Sequence, residues 1–227
     1  MKLKLLTTKK EAGDATSFVF EPDTPIEWRA GEYLHYTLPH DAPDDRGTER
    51  WFTISSAPLE RKIMLTTRFF GDEASSFKKR LFAMKPGDTI EADGLEGDFV
   101  IDASGRDYLF IAGGIGITPY RSMLLDLDGQ GKEIKARLLY GNKDENIVFK
   151  DELEEIAARH PDFRIEYFIG SQKIDGEAIQ TAAEELSSPI YYVSGPESMV
   201  EAFEEIFKDL GIPEENIRRD YFPGYAI

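Results

Sequence analysis

Cysteine is absent from the chain, which excludes disulfides, thiolate metal sites and a cysteine-ligated iron–sulfur cluster. Histidine is scarce: His35, His40 and His160 stand far apart, and none falls in a metal-ligand spacing such as HExxH. No resident metal is expected. No apolar run is long enough to cross a bilayer, and the opening MKLKLLTTKKEAGD lacks the apolar centre of a signal peptide. The expectation is a cytoplasmic protein, or one on the cytoplasmic face of a membrane complex. Positive charge is also in short supply, with 27 Lys and Arg against 43 Asp and Glu and a net charge of −16. That excess argues against nucleic acid or an anionic membrane as partner. The cations are grouped, as in Lys78-Lys79-Arg80 with Lys85, Arg61-Lys62, and Arg218-Arg219. Such patches suit an anionic cofactor or an acidic partner, or are simply solvated beside neighbouring carboxylates.

What is present divides the chain in two. In its first part LKLLTTKK, TSFVFEP, EYLHYTLP, RWFTISS and KIMLTTRFF are short, rich in Thr and aromatics, and bounded by Gly, Pro and Asp. Closely spaced strands of this kind predict a small antiparallel β-barrel of Greek-key type. One helix interrupts them, FKKRLFAM, with Ser75 and Ser76 able to cap its start and Pro86-Gly87 to stop it. After about Gly105 apolar strands alternate with helices: YLFIAGG with TPYRSMLLDL, IKARLLYGN with FKDELEEIAARH, FRIEYFIG with GEAIQTAAEEL, and IYYVSG with PESMVEAFEEIFKDLG. A final NIRRDYF completes a doubly wound, five-stranded parallel sheet. The expected fold class is therefore β + α/β, with domains at 1–103 and 104–227 joined near Ile101 to Arg106.

The stretch FIAGGIGITPYRSML concentrates the chemical interest. Gly113, Gly114 and Gly116 follow the first α/β strand and let backbone N–H groups approach a ligand. Thr118 is placed to cap the following helix, and Pro119 suits its first turn. The helix start then favours a pyrophosphate. The dinucleotide fingerprint GxGxxG is incomplete, because Thr-Pro replaces its third glycine. On spacing alone, a phosphate site and an empty corner are equal readings.

Several segments, in order along nearly the whole chain, resemble the ferredoxin–NADP reductase-like flavoproteins. GGIGITP resembles their GGxGxTP loop, and Arg50-Trp51-Phe52-Thr53 their RxYS/T flavin motif, with Phe for the usual Tyr. Gly31-Glu32-Tyr33-Leu34 is similar to GQYL, and Gly87-Asp88 with Gly94-Leu95-Glu96-Gly97-Asp98-Phe99 to KPGD followed by GPxGxF. Ser194-Gly195-Pro196-Glu197-Ser198-Met199 is similar to CGPxxM, with Ser in the cysteine position, and the ending Asp220-Tyr221-Phe222-Pro223-Gly224-Tyr225 to the family's acidic–aromatic terminus.

The resemblance implies a flavin on the barrel and a nicotinamide dinucleotide on the α/β sheet. Arg50 takes the flavin pyrophosphate, which a guanidinium suits by geometry and permanent charge. Trp51 belongs to the same segment, Phe52 lies against the isoalloxazine, and Thr53 meets flavin N5. Ser75 and Ser76 receive the pyrophosphate, and this second phosphate-binding element favours FAD over FMN. Gly113, Gly114, Gly116, Thr118 and Pro119, with Gly195 and Pro196, approach the dinucleotide. Ser194 stands beside the nicotinamide. Asp220 is the carboxylate near the flavin, and Phe222 shields the ring until nicotinamide displaces it. Asn142, Lys143 and Lys173 offer polar or cationic contacts to a 2′-phosphate, but Asp144-Glu145 and Asp175 adjoin them; NADPH is favoured over NADH by a small margin. The implied activity is hydride transfer from NAD(P)H to flavin and onward delivery of electrons to a ferredoxin- or flavodoxin-like protein or another redox component. The alternatives are a non-catalytic nucleotide-binding module and a reductase subunit of a larger complex. A dehydrogenase acting on a small organic substrate would need a His, Lys or Tyr-Lys pair by the glycine turn, which the sequence does not offer. A monomer or peripheral subunit is expected.

Overall fold

The computed structural model describes the backbone of residues 1–222 and the side chains of residues 1–221. Strands β1 (Lys2–Lys10), β2 (Ala15–Pro22), β3 (Tyr33–Thr37), β4 (Glu49–Thr53), β5 (Ile63–Arg68) and β6 (Thr89–Glu96) form one sheet in the order β4-β3-β6-β1-β2-β5. Neighbours pair antiparallel. Period-two alternation sends Leu3 and Leu5, Phe18 and Phe20, Leu34 and Tyr36, and Ile63 and Leu65 into a common core. The sheet curls until its edges meet: the Ser55 N–H, just past β4, donates to the Met64 carbonyl of β5 at 2.8 Å. Helix α1 (Ser76–Phe82) adds Phe77 and Leu81 to the same core. The five apolar segments of the sequence correspond to β1–β5, and β6 is additional. Only Ile90 and Ala92 are buried in it, while Glu91, Asp93 and Glu96 face solvent, so the segment lacks the aromatic and Thr-rich signature of the other strands.

Strands β7 (Tyr108–Gly113), β8 (Ala136–Asn142), β9 (Phe163–Ile169), β10 (Ile190–Pro196) and β11 (Ile217–Phe222) form a parallel sheet in the order β11-β10-β7-β8-β9. Its faces separate by alternation along β7. Phe110 and Ala112 pack with α2 (Thr118–Gly129) and α3 (Lys150–Arg159) through Tyr120, Leu124, Leu153 and Ile156. Leu109 and Ile111 pack with α4 (Gly176–Glu184) and α5 (Glu197–Asp209) through Ile179, Val200, Phe203 and Phe207. A sheet buried on both faces explains the continuous apolar runs YLFIA and RLLY. The curled antiparallel sheet followed by a doubly wound parallel one is the architecture expected from the sequence.

The two sheets meet through Arg121 of α2, which is buried. Its guanidinium donates to the Ser55 carbonyl at 2.8 Å and to Glu60 at 2.9 Å on the barrel side, and to Glu152 of α3 at 2.8 Å. It also lies 5.1 Å from the Phe149 ring centre. Burial works against its charge, but Glu60 and Glu152 outweigh that and raise its pKa above the ordinary arginine value. Beside it the Ser122 hydroxyl donates to the Ser56 carbonyl at 2.7 Å. Arg121→Ala leaves two carboxylates facing each other without a cation. We expect it to lower stability by about 3 kcal/mol, read from urea unfolding; a change below about 0.5 kcal/mol would show the seam to be held by apolar packing alone.

Candidate functional site

Strands β8 and β9 lie to one side of β7, and β10 and β11 to the other. The crevice outside the carboxyl ends of β7 and β10 is therefore the topological switch point, where open α/β sheets bind ligands. Gly113-Gly114 and Ser194-Gly195-Pro196 end there. The glycines divide their work. A side chain on Gly113 would overlap Met199 Sδ, and one on Gly116 would overlap the Ser194 carbonyl. These two permit close packing of the turn on β10. Gly114 alone of the three has a positive φ, +52°, and a methyl group there would meet nothing within 4 Å. It is the glycine that faces open space.

Thr118 does not cap α2. A 3-10 turn over Gly114–Ile117 runs straight into the helix, so Thr118 is already helical (φ −59°, ψ −45°), buried, and donates its N–H to Ile115. Pro119 lies in the first turn, as the sequence suggests. The unpaired donors at the helix start are displaced toward Gly114, nearer the strand end.

Ser194 is buried and its hydroxyl donates to Asp220 Oδ2 at 3.2 Å. The parallel register sets Ser194 directly beside Asp220 on β11. The Asp220 carboxyl is pushed up to about 6: burial is the main cause, Asp98 adds to it, and the Ser194 hydrogen bond opposes it. Tyr33 of β3 senses the same charges, since burial first and then Glu96, Asp220 and Asp98 raise its phenol. Tyr33 is the cross-strand partner of Thr53. Thr53 and Tyr33 on the barrel and Asp220 and Ser194 on the sheet thus form two geometric pairs, and the charge of the second is felt by the first. Asp98 and Tyr33 are participants that strand patterns alone do not single out. The side chain of Phe222 lies outside the described residues.

Asn142 ends β8 one strand over from Gly113. It is buried, and among the described residues neither amide atom makes a hydrogen bond of good geometry, only a weak interaction with the Tyr140 hydroxyl. A buried, unsatisfied carboxamide calls for a ligand or water. Lys143 beside it is exposed. Asp144 is held low by hydrogen bonds from Asn146, with Arg68 of β5 and Lys143 contributing charge. Lys173 lies in the loop after β9, exposed.

On the barrel, Arg50 and the start of α1 are bridged by a residue the sequence did not flag, Asp44. Its Oδ2 accepts from the Ser76 N–H at 2.7 Å, its own N–H donates to Ser76 Oγ at 2.9 Å, and Arg50 Nη2 donates to Oδ1 at 3.4 Å. The Ser76 hydrogen bond is the first cause of the depressed Asp44 pKa. Arg50 also donates to the Arg46 carbonyl at 2.7 Å and lies 5.5 Å from the Phe77 ring centre. Ser75 accepts from the Lys78 N–H at 3.3 Å as the helix N-cap. Phe52 is half-buried against Tyr36 (5.8 Å) and Phe77 (5.9 Å). Trp51 points the other way and is 51% exposed. Among the described residues, no group of three or more His, Cys, Asp or Glu could hold a metal ion.

The description "Oxidoreductase NAD-binding domain" fits residues 110–205 of the chain. The chain is 34% identical over 145 residues to the reductase component DmpP of phenol 2-monooxygenase from Pseudomonas sp. (strain CF600), covering 62% of this chain and 39% of that protein. It is 29% identical over 226 residues to ferredoxin–NADP reductase B of Sorangium cellulosum (strain So ce56), covering 91% of this chain and 87% of that one. The crystal structure of the cytochrome b5 reductase domain of Ulva prolifera nitrate reductase superposes with a TM-score of 0.81 at 23% identity, covering 97% and 96% of the two chains. That likeness is one of fold. The chain spans less than two thirds of the length of several curated relatives, among them a Burkholderia flavohemoprotein at 58%.

Asp220 yields a pH test. Its folded pKa of about 6 exceeds the unfolded value of about 3.9, so the native state retains the proton longer. Stability from this group is present below the unfolded pKa and is lost as pH rises through the folded one. Relative to Asp220→Asn, the wild-type protein should lose roughly 3 kcal/mol between about pH 4 and pH 7, measured by urea unfolding across that range. A difference that stays constant with pH would mean the carboxyl titrates normally.

Proposed function

We propose that the chain is a ferredoxin–NADP reductase-like flavoprotein, similar over residues 110–205 to the oxidoreductase NAD-binding domain and over most of its length to a ferredoxin–NADP reductase, and that it carries electrons from a reduced nicotinamide dinucleotide through FAD to a redox protein. The observation that supports this most directly is the buried Ser194–Asp220 pair at the switch point, whose charge reaches Tyr33, the cross-strand partner of Thr53 on the barrel.

The residues fit both groups. The unsatisfied Asn142 amide and the open space at Gly114 suit a dinucleotide at the switch point. Arg50 and Ser76 already hold a carboxylate, so their donor set matches an anion. With Ser75 they would hold the FAD diphosphate, while Phe52 and Thr53 meet its ring; Trp51 of the same segment points away from Phe52 to the outer face. Bound flavin supplies hydride acceptance and stepwise electron release. The chain's residues align and exclude: Gly113, Gly114, Gly116, Thr118 and Pro119 with Gly195 and Pro196 shape the dinucleotide cleft, and Ser194 and Asp220 set its polarity beside the nicotinamide. Phe222, whose side chain lies outside the described residues, is the residue we assign as the ring shield. Asn142, Lys143 and Lys173 favour NADPH over NADH by a small margin. Residues 1–103 form the flavin-binding unit and 104–227 the nucleotide-binding unit. DmpP is named as a reductase component and the Sorangium protein as a ferredoxin–NADP reductase; by analogy the acceptor is an oxygenase partner or a ferredoxin- or flavodoxin-like protein. We place the protein in the cytoplasm as a monomer or peripheral subunit; among the described residues no helix is long and apolar enough to cross a membrane.

Purified protein given FAD should turn yellow and bleach anaerobically on adding NADPH or NADH; failure to take up FAD would overturn the reading, and the faster nucleotide identifies the donor. Two variants test the barrel site in opposite senses by FAD titration. Arg50→Ala should weaken FAD about tenfold or more. Asp44→Ala removes an internal anion that competes for the same donors, and should tighten FAD several-fold. A weaker affinity in Asp44→Ala would show that the carboxylate positions Arg50 and does not compete.

A further inference from the structure

Trp51 is the more exposed of the two tryptophans, at 51% against 9% for Trp28. The register of β4, β3 and β6 fixes what surrounds it. Trp51, His35 and Asp93 form one row across the outer face; Glu49, Thr37 and Glu91 form the next; Thr53, Tyr33 and Glu96 form the row on the other side. The indole stacks on the His35 ring at 4.3 Å and meets Tyr33 edge-on at 5.4 Å. His35 is itself held between carboxylates, with Nδ1 3.3 Å from Asp93 and Nε2 3.4 Å from Glu49. The side chains of Glu49 and Asp93 are 59% and 75% exposed. Lys2 stands across from Glu91, and Glu49, Asp93 and Glu96 leave the rim acidic around the His35 imidazole.

This is a rigid, exposed aromatic centre with an acidic rim. Interfaces concentrate their energy in such anchored Trp side chains, and rim charges select the partner and speed its approach. The face also borders the reaction centre, because Trp51 and Thr53 lie two residues apart on β4, about 7 Å along the strand. We propose that the face around Trp51 docks the electron acceptor, and that this acceptor is a redox protein with a basic contact surface. The inference rests on the reductase reading and narrows its partner: an acidic ferredoxin would meet like charge here, whereas a basic protein meets complementary charge.

Cytochrome c, a basic haem protein, serves as the probe, with FAD-loaded protein at low ionic strength and affinity read by calorimetry. Trp51→Ala and the double variant Glu49→Lys/Asp93→Lys should each weaken cytochrome c binding about tenfold or more. The control pair Glu201→Lys/Glu205→Lys, on the exposed face of α5, should change it less than about twofold. NAD(P)H-driven ferricyanide reduction should persist in Glu49→Lys/Asp93→Lys, showing that flavin and fold are intact. Unchanged affinity in both site variants, or equal weakening by the α5 control, overturns the proposal. Self-association of the wild type that Trp51→Ala abolishes also overturns it, assigning the face to a second copy. Absence of ferricyanide reduction in FAD-loaded wild type instead overturns the reductase reading, independently of the binding results.

Discussion

A guanidinium buried between glutamates from two different parts of the chain governs how the barrel and the parallel sheet face each other. Arg121 reaches the Ser55 carbonyl, two residues past Thr53, from a helix that begins at Thr118. The ion pairs at the seam therefore set the spacing between the barrel strand expected to meet the flavin ring and the turn expected to meet the dinucleotide. An isolated charge at this depth would be strongly unfavourable; with Glu60 and Glu152 in place it is directional as well as tolerated. Apolar packing could hold the sheets together but would not specify their relative position so narrowly.

The charge distribution follows a related logic. In a chain with net charge −16, two of the least exposed guanidinium groups, Arg121 and Arg50, each face a carboxylate. Where a carboxylate is left without a cation, as in Asp220, burial shifts its proton affinity toward neutrality. Where a carboxylate can reach donors, as Asp44 does at Arg50 and Ser76, hydrogen bonds hold its pKa low, and it sits on the donors proposed for a phosphate. The same side-chain type thus holds its proton toward neutral pH in one place and stays ionised against donors in another.

Much of this was legible from the sequence. Alternating and continuous apolar runs located ten of the eleven strands and all five helices among the described residues, because those signals come directly from burial on one or two faces. β6 escaped because an edge of acidic residues on its outer face dilutes the pattern to Ile90 and Ala92. The cap at Thr118 was misplaced because a 3-10 turn can absorb the preceding glycines into the helix start, a choice settled by packing against β10 and not by local propensity. Asp44 and the Ser194–Asp220 contact were invisible as pairs for a simpler reason: 32 and 26 residues separate the partners, and only sheet curvature and strand order unite them.

The glycine turn has a further consequence. Gly116 is pressed against the β10 backbone and Gly113 against Met199, while the Tyr140 hydroxyl donates to the Gly114 carbonyl at 3.0 Å. Backbone freedom that a flexible loop would surrender on meeting its ligand has here been surrendered during folding. A nucleotide bound at this corner, as proposed, would meet a mould rather than a clasp, with the Asn142 carboxamide among the groups left to contact it.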